Sequence, residues 1–120
     1  MSIEAMWFLK SASYADPDTM KDGGVVILET ERIFGGDSIM AYIGKYTVNG
    51  NELKAIVRSF SWNDEYGGEN VFGMEVPIDT EVGFQGTISP DHNTINGSIF
   101  LLSEPDIMFD TIMVKVADLP

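Results

Sequence analysis

The sequence has no cysteine and a single histidine, His92. Without cysteine the chain forms no disulfide, offers no thiolate nucleophile and lacks the usual ligand of structural zinc sites. A lone imidazole in the turn "PDHN" is typical of an exposed loop residue, and it has no second histidine with which to bind a transition metal. We therefore predict no metal and no cofactor.

Basic residues are scarce: seven lysines and arginines face nineteen acidic residues, which gives a formal net charge of −12. Such a chain repels a phosphate backbone and gains nothing from counterion release, so we predict no direct binding to nucleic acid. The same charge accelerates the encounter with a basic partner.

Long apolar runs are also absent, so no segment is predicted to span a membrane. The start, "MSIEAMWFLKSAS", is too short and too acidic for a signal peptide, which predicts a cytoplasmic protein. The 120 residues predict one domain over 1–120.

Helical periodicity is hard to find, whereas apolar residues alternate with polar ones between turn residues every eight to twelve positions. In "NVFGMEVPID", for example, Phe72, Met74, Val76 and Ile78 share one face of a predicted strand over 70–79. Further strands are predicted near residues 5–13, 23–30, 38–48, 52–62, 82–89, 94–103 and 107–117, with a short arm at 32–35 that continues the second strand.

The turns "NGN" at 49–51 and "PDHN" at 90–93 join neighbouring strands as tight hairpins. About eight strands connected in this way must either form a sandwich or close on themselves, since one flat sheet would leave long apolar edges open. Gly44, Gly86 and Gly97 fall on apolar faces, where small residues suit the bends of a small barrel. The predicted fold is all-β, an antiparallel up-and-down barrel of about eight strands.

The stretch "RIFGGDS" has neither the glycine spacing of a phosphate-binding loop nor a following helix. We interpret Gly35, Gly36 and Asp37 as a structural turn, in which the glycines adopt positive φ and Asp37 accepts hydrogen bonds from nearby backbone amides.

Evidence for catalysis is weak, because no "GxSxG" elbow is present and "DPDTMKDGG" fails the calcium-loop spacing. Carboxylate pairs, Asp64 with Glu65 or Glu29 with Glu31, leave an acid and base reading open. We favour a protein that is not an enzyme.

One predicted face is rich in aromatic and methionine residues, and these either fill the core or line a ligand cavity. Its members are Tyr42, Tyr46, Phe72, Met74 and Phe84. Core packing is favoured, and the sequence predicts a barrel with a partly filled, mainly apolar interior.

Residues 22–53, "DGGVVILETERIFGGDSIMAYIGKYTVNGNEL", resemble the GrlR-like proteins, negative regulators of type III secretion, in the glycine-led strand, the "GGDS" turn, "YxGxY" and the "NGN" hairpin. The resemblance implies a lipocalin-like barrel that can dimerise and that holds a DNA-binding transcriptional activator away from its promoter. It also implies an interior that takes a lipid-like molecule. The family's acidic run would fall at 49–52, where Glu52 alone is a carboxylate.

Two hypotheses follow from the residues and the resemblance together. The first is a regulator that sequesters a basic activator through Glu52, Asp64, Glu65 and Glu69. The second is a carrier or sensor of a small apolar ligand. A homodimer is expected through an exposed strand or through an apolar outer face, such as Ile39, Ala41 and Ile43 or Ile107, Phe109 and Met113.

Overall fold

The computed structural model of the protein describes residues 3–63, 68–75 and 78–120 and shows a closed barrel. Eight antiparallel strands follow one another in chain order, and the last pairs with the first. The strands are β1 (Ala5–Ser11), β2 (Lys21–Glu29), β3 (Arg32–Gly36), β4 (Met40–Asn49), β5 (Glu52–Ser61), β6 (Asp79–Ile88), β7 (Thr94–Leu101) and β8 (Met108–Asp118). The predicted up-and-down barrel is confirmed.

Alternation along each strand places one set of side chains in the core. In β5, Leu53, Ala55 and Val57 are buried, whereas Lys54 and Ile56 between them are exposed. Because neighbours across a ladder share a face, this period of two propagates around the closed wall. No helix is found within 3–63, 68–75 and 78–120, so none there is long and apolar enough to cross a bilayer.

The barrel has two unlike ends. The connections β1–β2, β3–β4, β5–β6 and β7–β8 lie at one end, which we call the loop end. Both chain termini and the three hairpins β2–β3, β4–β5 and β6–β7 lie at the other, which we call the terminal end. The predicted hairpins "NGN" and "PDHN" are confirmed, since Asn49 pairs with Glu52 and Ile88 with Ile95.

The arm predicted at 32–35 is wrong as a continuation of the second strand. It is β3, a separate strand that runs back antiparallel to β2, with Glu29 paired to Arg32. The chain reverses at Thr30 and Glu31, whose φ angles are 52° and 62°. Neither residue type signals such a turn, because glycine and asparagine usually occupy these positions.

The strand predicted at 70–79 is also wrong for the residues described. Residues 71–73 form a turn, Glu69 and Glu75 make an isolated bridge, and β6 begins only at Asp79. Gly73 has a φ of 78°, and the Asn70 side chain accepts backbone hydrogen bonds that a neighbouring strand would otherwise make. The alternation of Phe72 and Met74 therefore belongs to a loop that inserts one side chain into the barrel.

The turn predicted at Gly35, Gly36 and Asp37 has a different basis for its glycines. Gly35 and Gly36 end β3, and neither is among the residues with positive φ. A Cβ on Gly35 would instead collide with the Val25 carbonyl oxygen on β2, so the need is for close approach. Asp37 acts as predicted, because its Oδ1 accepts the amides of Ile39 at 2.8 Å and Met40 at 2.7 Å.

One of the two outer faces expected for a dimer is wrong. Met113 is 1% exposed and belongs to the core, and Ile107 and Phe109 pack against that core. On the other predicted face, Ile43 is 56% exposed on β4. Residues paired along the sheet extend this outer surface as an apolar row, which comprises Met6, Ile27, Phe34 and Ile43.

Candidate functional sites at the two ends of the barrel

A cavity of about 210 Å³ occupies the loop-end half of the interior. The cavity exists because the largest core side chain lies nearer the terminal end. Trp7 on β1 is fully buried there, and its Nε1 donates to the Ile3 carbonyl at 3.0 Å. The walls above are mostly aliphatic, from Val26, Ile33, Val57, Phe84, Ile99 and Met113. A small apolar ligand would match this lining.

Two polar groups face this cavity and are hydrogen-bonded to each other. The Tyr42 hydroxyl donates to Oδ2 of Asp37 at 2.8 Å, while Oδ1 holds the β3–β4 turn. Burial, with the Asp37 charge and this hydrogen bond as lesser causes, raises the pKa of the Tyr42 phenol well above its ordinary value. The tyrosine therefore stays protonated and orients the aspartate.

A second polar pair lies on β1 and β8. The Ser11 and Thr111 hydroxyls are 3.0 Å apart, and both residues are buried. With Ser59, also buried and lining the cavity, they give the apolar chamber a few hydroxyl groups. Such groups orient a ligand more than they attract it.

Residues 68–75 cover the cavity at the loop end. Phe72 is 7% exposed, and its ring centroid lies 5.9 Å from that of Phe109. The Asn70 Oδ1 accepts the amides of Phe72 and Met74, each at 3.0 Å. The Tyr14 amide donates to the Val71 carbonyl at 2.6 Å, which ties the segment to the β1–β2 connection.

A separate cleft of about 740 Å³ opens at the terminal end. Its apolar surface comes from Ile3, Val48 and Ile88, with Tyr46 beside them, and its charged lining residues are Glu4 and Glu31. The Glu4 Oε1 accepts the Thr30 amide at 2.6 Å, and the Tyr46 amide donates to the Glu31 carbonyl at 3.0 Å.

Tyr46 stands apart from the other residues of the predicted aromatic face. Tyr42, Phe72 and Phe84 line the interior cavity. Met74 packs against the core but does not line the cavity. Tyr46 lies instead in the terminal-end cleft, because it is four positions further along β4 than Tyr42 and so closer to that end. Burial is the main cause of a raised Tyr46 pKa, and the Glu4 and Glu31 charges add to it.

The residues predicted to bind a partner are distributed over both ends. Glu52 begins β5 at the terminal end, where it accepts a hydrogen bond from the Thr87 hydroxyl at 2.8 Å. Glu69 is exposed at the loop end. Asp64 and Glu65 lie outside the described residues. The structure therefore does not bring Glu52 and Glu69 into one patch.

His92 is not the exposed turn residue that the sequence predicts. It is half-buried, lines the terminal-end cleft and has a φ of 60°. Its Nδ1 atom is buried and has no hydrogen-bond partner. The sequence does not predict this placement of His92, because "PDHN" indicates a turn but not which side of the turn the histidine faces.

In the part of the chain that the structure describes, no three histidine or acidic side chains converge to hold a metal ion. Of the carboxylate pairs considered above, Glu29 bonds to Arg32 at 3.3 Å and Glu31 lines the cleft.

Compared with protein-family models and with curated proteins, the sequence matches none. The GrlR-like kinship therefore remains a prediction from residues 22–53, whereas the barrel rests on the structure itself.

Proposed function

We propose that the protein is a non-enzymatic bacterial regulator, active in the cytoplasm, that binds a basic DNA-binding transcriptional activator and withholds it from its promoter. The resemblance to GrlR-like regulators of type III secretion supplies this role. In its support, residues 22–53 cover nearly all of β2, the whole of β3 and β4, and the start of β5 in a closed barrel, the fold that the resemblance implies.

The observation that carries the proposal is the charge of the loop end. Acidic side chains there, among the described residues in the loops or within three residues of a strand end, are Asp16, Asp18, Asp22, Asp37, Glu69, Glu75, Asp79, Glu81, Glu104, Asp106 and Asp110. The basic ones are Lys10, Lys21 and Arg58, and the last two pair with Asp16 and Asp79. This excess attracts a basic surface.

The loop end is a better docking surface than the hairpin at 49–52. Glu52 is the one carboxylate of that hairpin and already accepts a hydrogen bond from Thr87. Lys54 lies two residues away on the same strand. A basic partner therefore meets a stronger and less compensated field at the loop end.

The test is affinity capture of the activator from a lysate of the native host, with the bound proteins identified by mass spectrometry. We expect a basic DNA-binding protein to be recovered by the unmodified chain. The variant Glu104→Gln/Asp106→Asn should recover several-fold less of it, because two uncompensated charges are removed from the loop end.

The matched control removes two charges from the terminal end, as Glu52→Gln/Asp118→Asn. It should recover as much activator as the unmodified chain. Recovery of no DNA-binding protein would argue against the regulatory role. If only the control variant recovers less activator, the docking surface lies at the terminal end and its assignment to the loop end is wrong.

A second function, binding of a small apolar ligand, is favoured by the interior cavity. Its aliphatic walls and the Asp37–Tyr42 pair match a lipid-like molecule with one hydroxyl group, which the resemblance also implies. Native mass spectrometry of gently purified protein should show an added small molecule. Val82→Phe, which fills the cavity, should lose it, whereas Val48→Phe at the terminal end should keep it.

A homodimer is the third element of the proposal. The outer row of Met6, Ile27, Phe34 and Ile43 is uncharged, so two copies with a charge of −12 repel each other least there. Light scattering after size exclusion should give a dimer that Ile43→Lys converts to a monomer. A monomer before the substitution contradicts it.

A further inference from the structure

The terminal-end cleft has the features of a binding site that neither the interior cavity nor the acidic loop end explains. It is the larger of the two spaces, at about 740 Å³, and it lies at the opposite end of the barrel from both. Its lining combines an apolar surface with two carboxylates, and no lysine or arginine is among the described residues that form it.

The two carboxylates approach the cleft from different segments of the chain. Glu4 precedes β1 and is fixed by the Thr30 amide at 2.6 Å. Glu31 lies in the β2–β3 turn, and its carboxylate makes no ion pair or hydrogen bond within 3–63, 68–75 and 78–120. The Thr30 amide that Glu4 accepts is next to Glu31 in the chain, and the Tyr46 amide donates to the Glu31 carbonyl at 3.0 Å, so the three residues are neighbours in the cleft lining.

The backbone around the cleft is unusual as well. The non-glycine residues with positive φ, among those described, are Thr30, Glu31 and His92, and all three line this cleft. A β-branched or bulky residue is disfavoured in this conformation, whereas asparagine and glycine are not. Keeping threonine and glutamate in the turn costs stability, but it places the Glu31 carboxylate at the mouth.

We propose that the cleft binds an organic ammonium ion that carries a small apolar body. The ammonium group lies between Glu4 and Glu31 beside Tyr46, and the apolar body packs against Ile88 and Val48. An ammonium near an aromatic ring and two carboxylates is attracted by each of them.

The experiment titrates the purified full-length chain with 2-phenylethylamine and with 2-phenylethanol, followed by amide chemical shifts. The two probes have the same apolar body and differ in charge. We expect saturable shifts at Thr30, Glu31, Tyr46 and His92 with the amine, and roughly tenfold weaker binding of the alcohol. Equal affinities, or no saturable shift in the millimolar range, would overturn the proposal.

A matched pair of variants separates the cleft from the general negative charge. Glu31→Gln should weaken amine binding roughly fivefold, because one carboxylate of the pair is neutralised. Glu104→Gln removes the same charge at the loop end and should leave the affinity unchanged. If both variants weaken binding equally, the amine is attracted by net charge alone and the site is refuted.

The β2–β3 turn at Thr30 and Glu31 allows stability and amine binding to be changed in opposite directions. Thr30→Asn/Glu31→Gly replaces both residues by ones that favour the observed φ, so the urea midpoint should rise. The same variant should lose amine binding several-fold. A more stable variant that still binds the amine as well as before contradicts the role of Glu31.

Discussion

Glycine serves two different purposes in this barrel, and the distinction is visible at single residues. A Cβ on Gly44 would collide with the Ile56 carbonyl oxygen and lie 2.8 Å from the Val57 Cα, so β4 and β5 approach too closely for any side chain. A Cβ added to Gly50 would have no atom within 4 Å, but the φ of this residue is +64°. The first glycine is required by packing and the second by backbone conformation.

These two glycines predict losses of different size on substitution. Gly44→Ala should lower the free energy of unfolding by about 1–3 kcal/mol, because the new methyl group displaces β5 backbone. Gly50→Asn should cost less than about 0.5 kcal/mol, since asparagine tolerates positive φ. Urea unfolding of the two variants measures both values, and an equal loss in each would contradict the distinction.

The buried Tyr42 phenol predicts a particular alkaline sensitivity. Its folded-state pKa is raised above the ordinary value of 10.0, mainly by burial and further by Asp37. The tyrosine thus holds its proton more tightly in the folded state, so its contribution is fully present below about pH 10 and is lost as the pH rises further.

Tyr42→Phe should remove that dependence. Between pH 10 and 11 the free energy of unfolding should fall by about 1 kcal/mol less in the variant than in the unmodified protein, because the unfolded tyrosine is already half deprotonated at pH 10. Urea titrations at both pH values test this. The lysines titrate alike in the two proteins and cancel, so parallel slopes would show that Tyr42 loses its proton equally readily in the folded and unfolded chains.

At the scale of elements, the segment Gly68–Glu75 replaces what the sequence presents as a strand. Its hydrogen bonds are made by the Asn70 side chain, by the Tyr14 amide and within the segment itself, where the Asn70 amide donates to the Met74 carbonyl, rather than by a ladder to a neighbouring strand. It is held down chiefly by Phe72, which inserts next to Phe109. The segment therefore closes the cavity through one aromatic anchor.

Phe72→Ala should test this anchor. We expect a loss of about 2–4 kcal/mol in the free energy of unfolding and faster amide exchange at Val71 and Met74, because the covering segment is released from the barrel. The outward-facing Phe34→Ala serves as the control and should cost under about 1 kcal/mol. If the two losses are similar, Phe72 does not anchor the segment.

At the scale of the whole molecule, charge is distributed unevenly over a regular wall. The net charge is −12, and acidic side chains gather at the loop end, whereas Arg32, Lys45, Lys54 and Lys115 lie nearer the terminal end or along the wall. The acidic side chains therefore repel one another most strongly at the loop end, where a basic partner would reduce the repulsion.

Screening should consequently stabilise the protein. Raising NaCl from low concentration to about 0.5 M shortens the Debye length to a few ångströms and should increase the free energy of unfolding in urea by about 1 kcal/mol. Glu104→Gln/Asp106→Asn should show a smaller increase. A fall with salt would mean that surface ion pairs such as Lys21–Asp16 outweigh the repulsion.

Much of the fold could be predicted from the sequence, but not which segments make it. Alternation located most strands, and "NGN" and "PDHN" fixed two hairpins. The eight-strand total was correct even though β3 was taken for an arm and 70–79 for a strand. Thr30 and Glu31 gave no turn signal, and Phe72 and Met74 alternate as they would in a strand.

The candidate sites were predicted less well. Tyr42, Phe72 and Phe84 do meet around one cavity, because Tyr42 and Phe84 point inward from β4 and β6 and Phe72 inserts from the covering segment. Tyr46 has the same inward direction but a different height, and height is set by the tilt and pairing of strands. Nothing in the local sequence of Glu4, Glu31 and His92 shows that two separate turns and the start of a strand converge.

By itself the sequence determined that the chain is an antiparallel β protein with an apolar inside and a strongly acidic outside. This follows because side-chain direction in a strand has a period of two and needs no distant contact to be read. Only the tertiary structure decided that the interior splits into a covered cavity and an open cleft. That division depends on which large side chains meet across the barrel, and strand pairing sets those meetings between residues far apart in the chain.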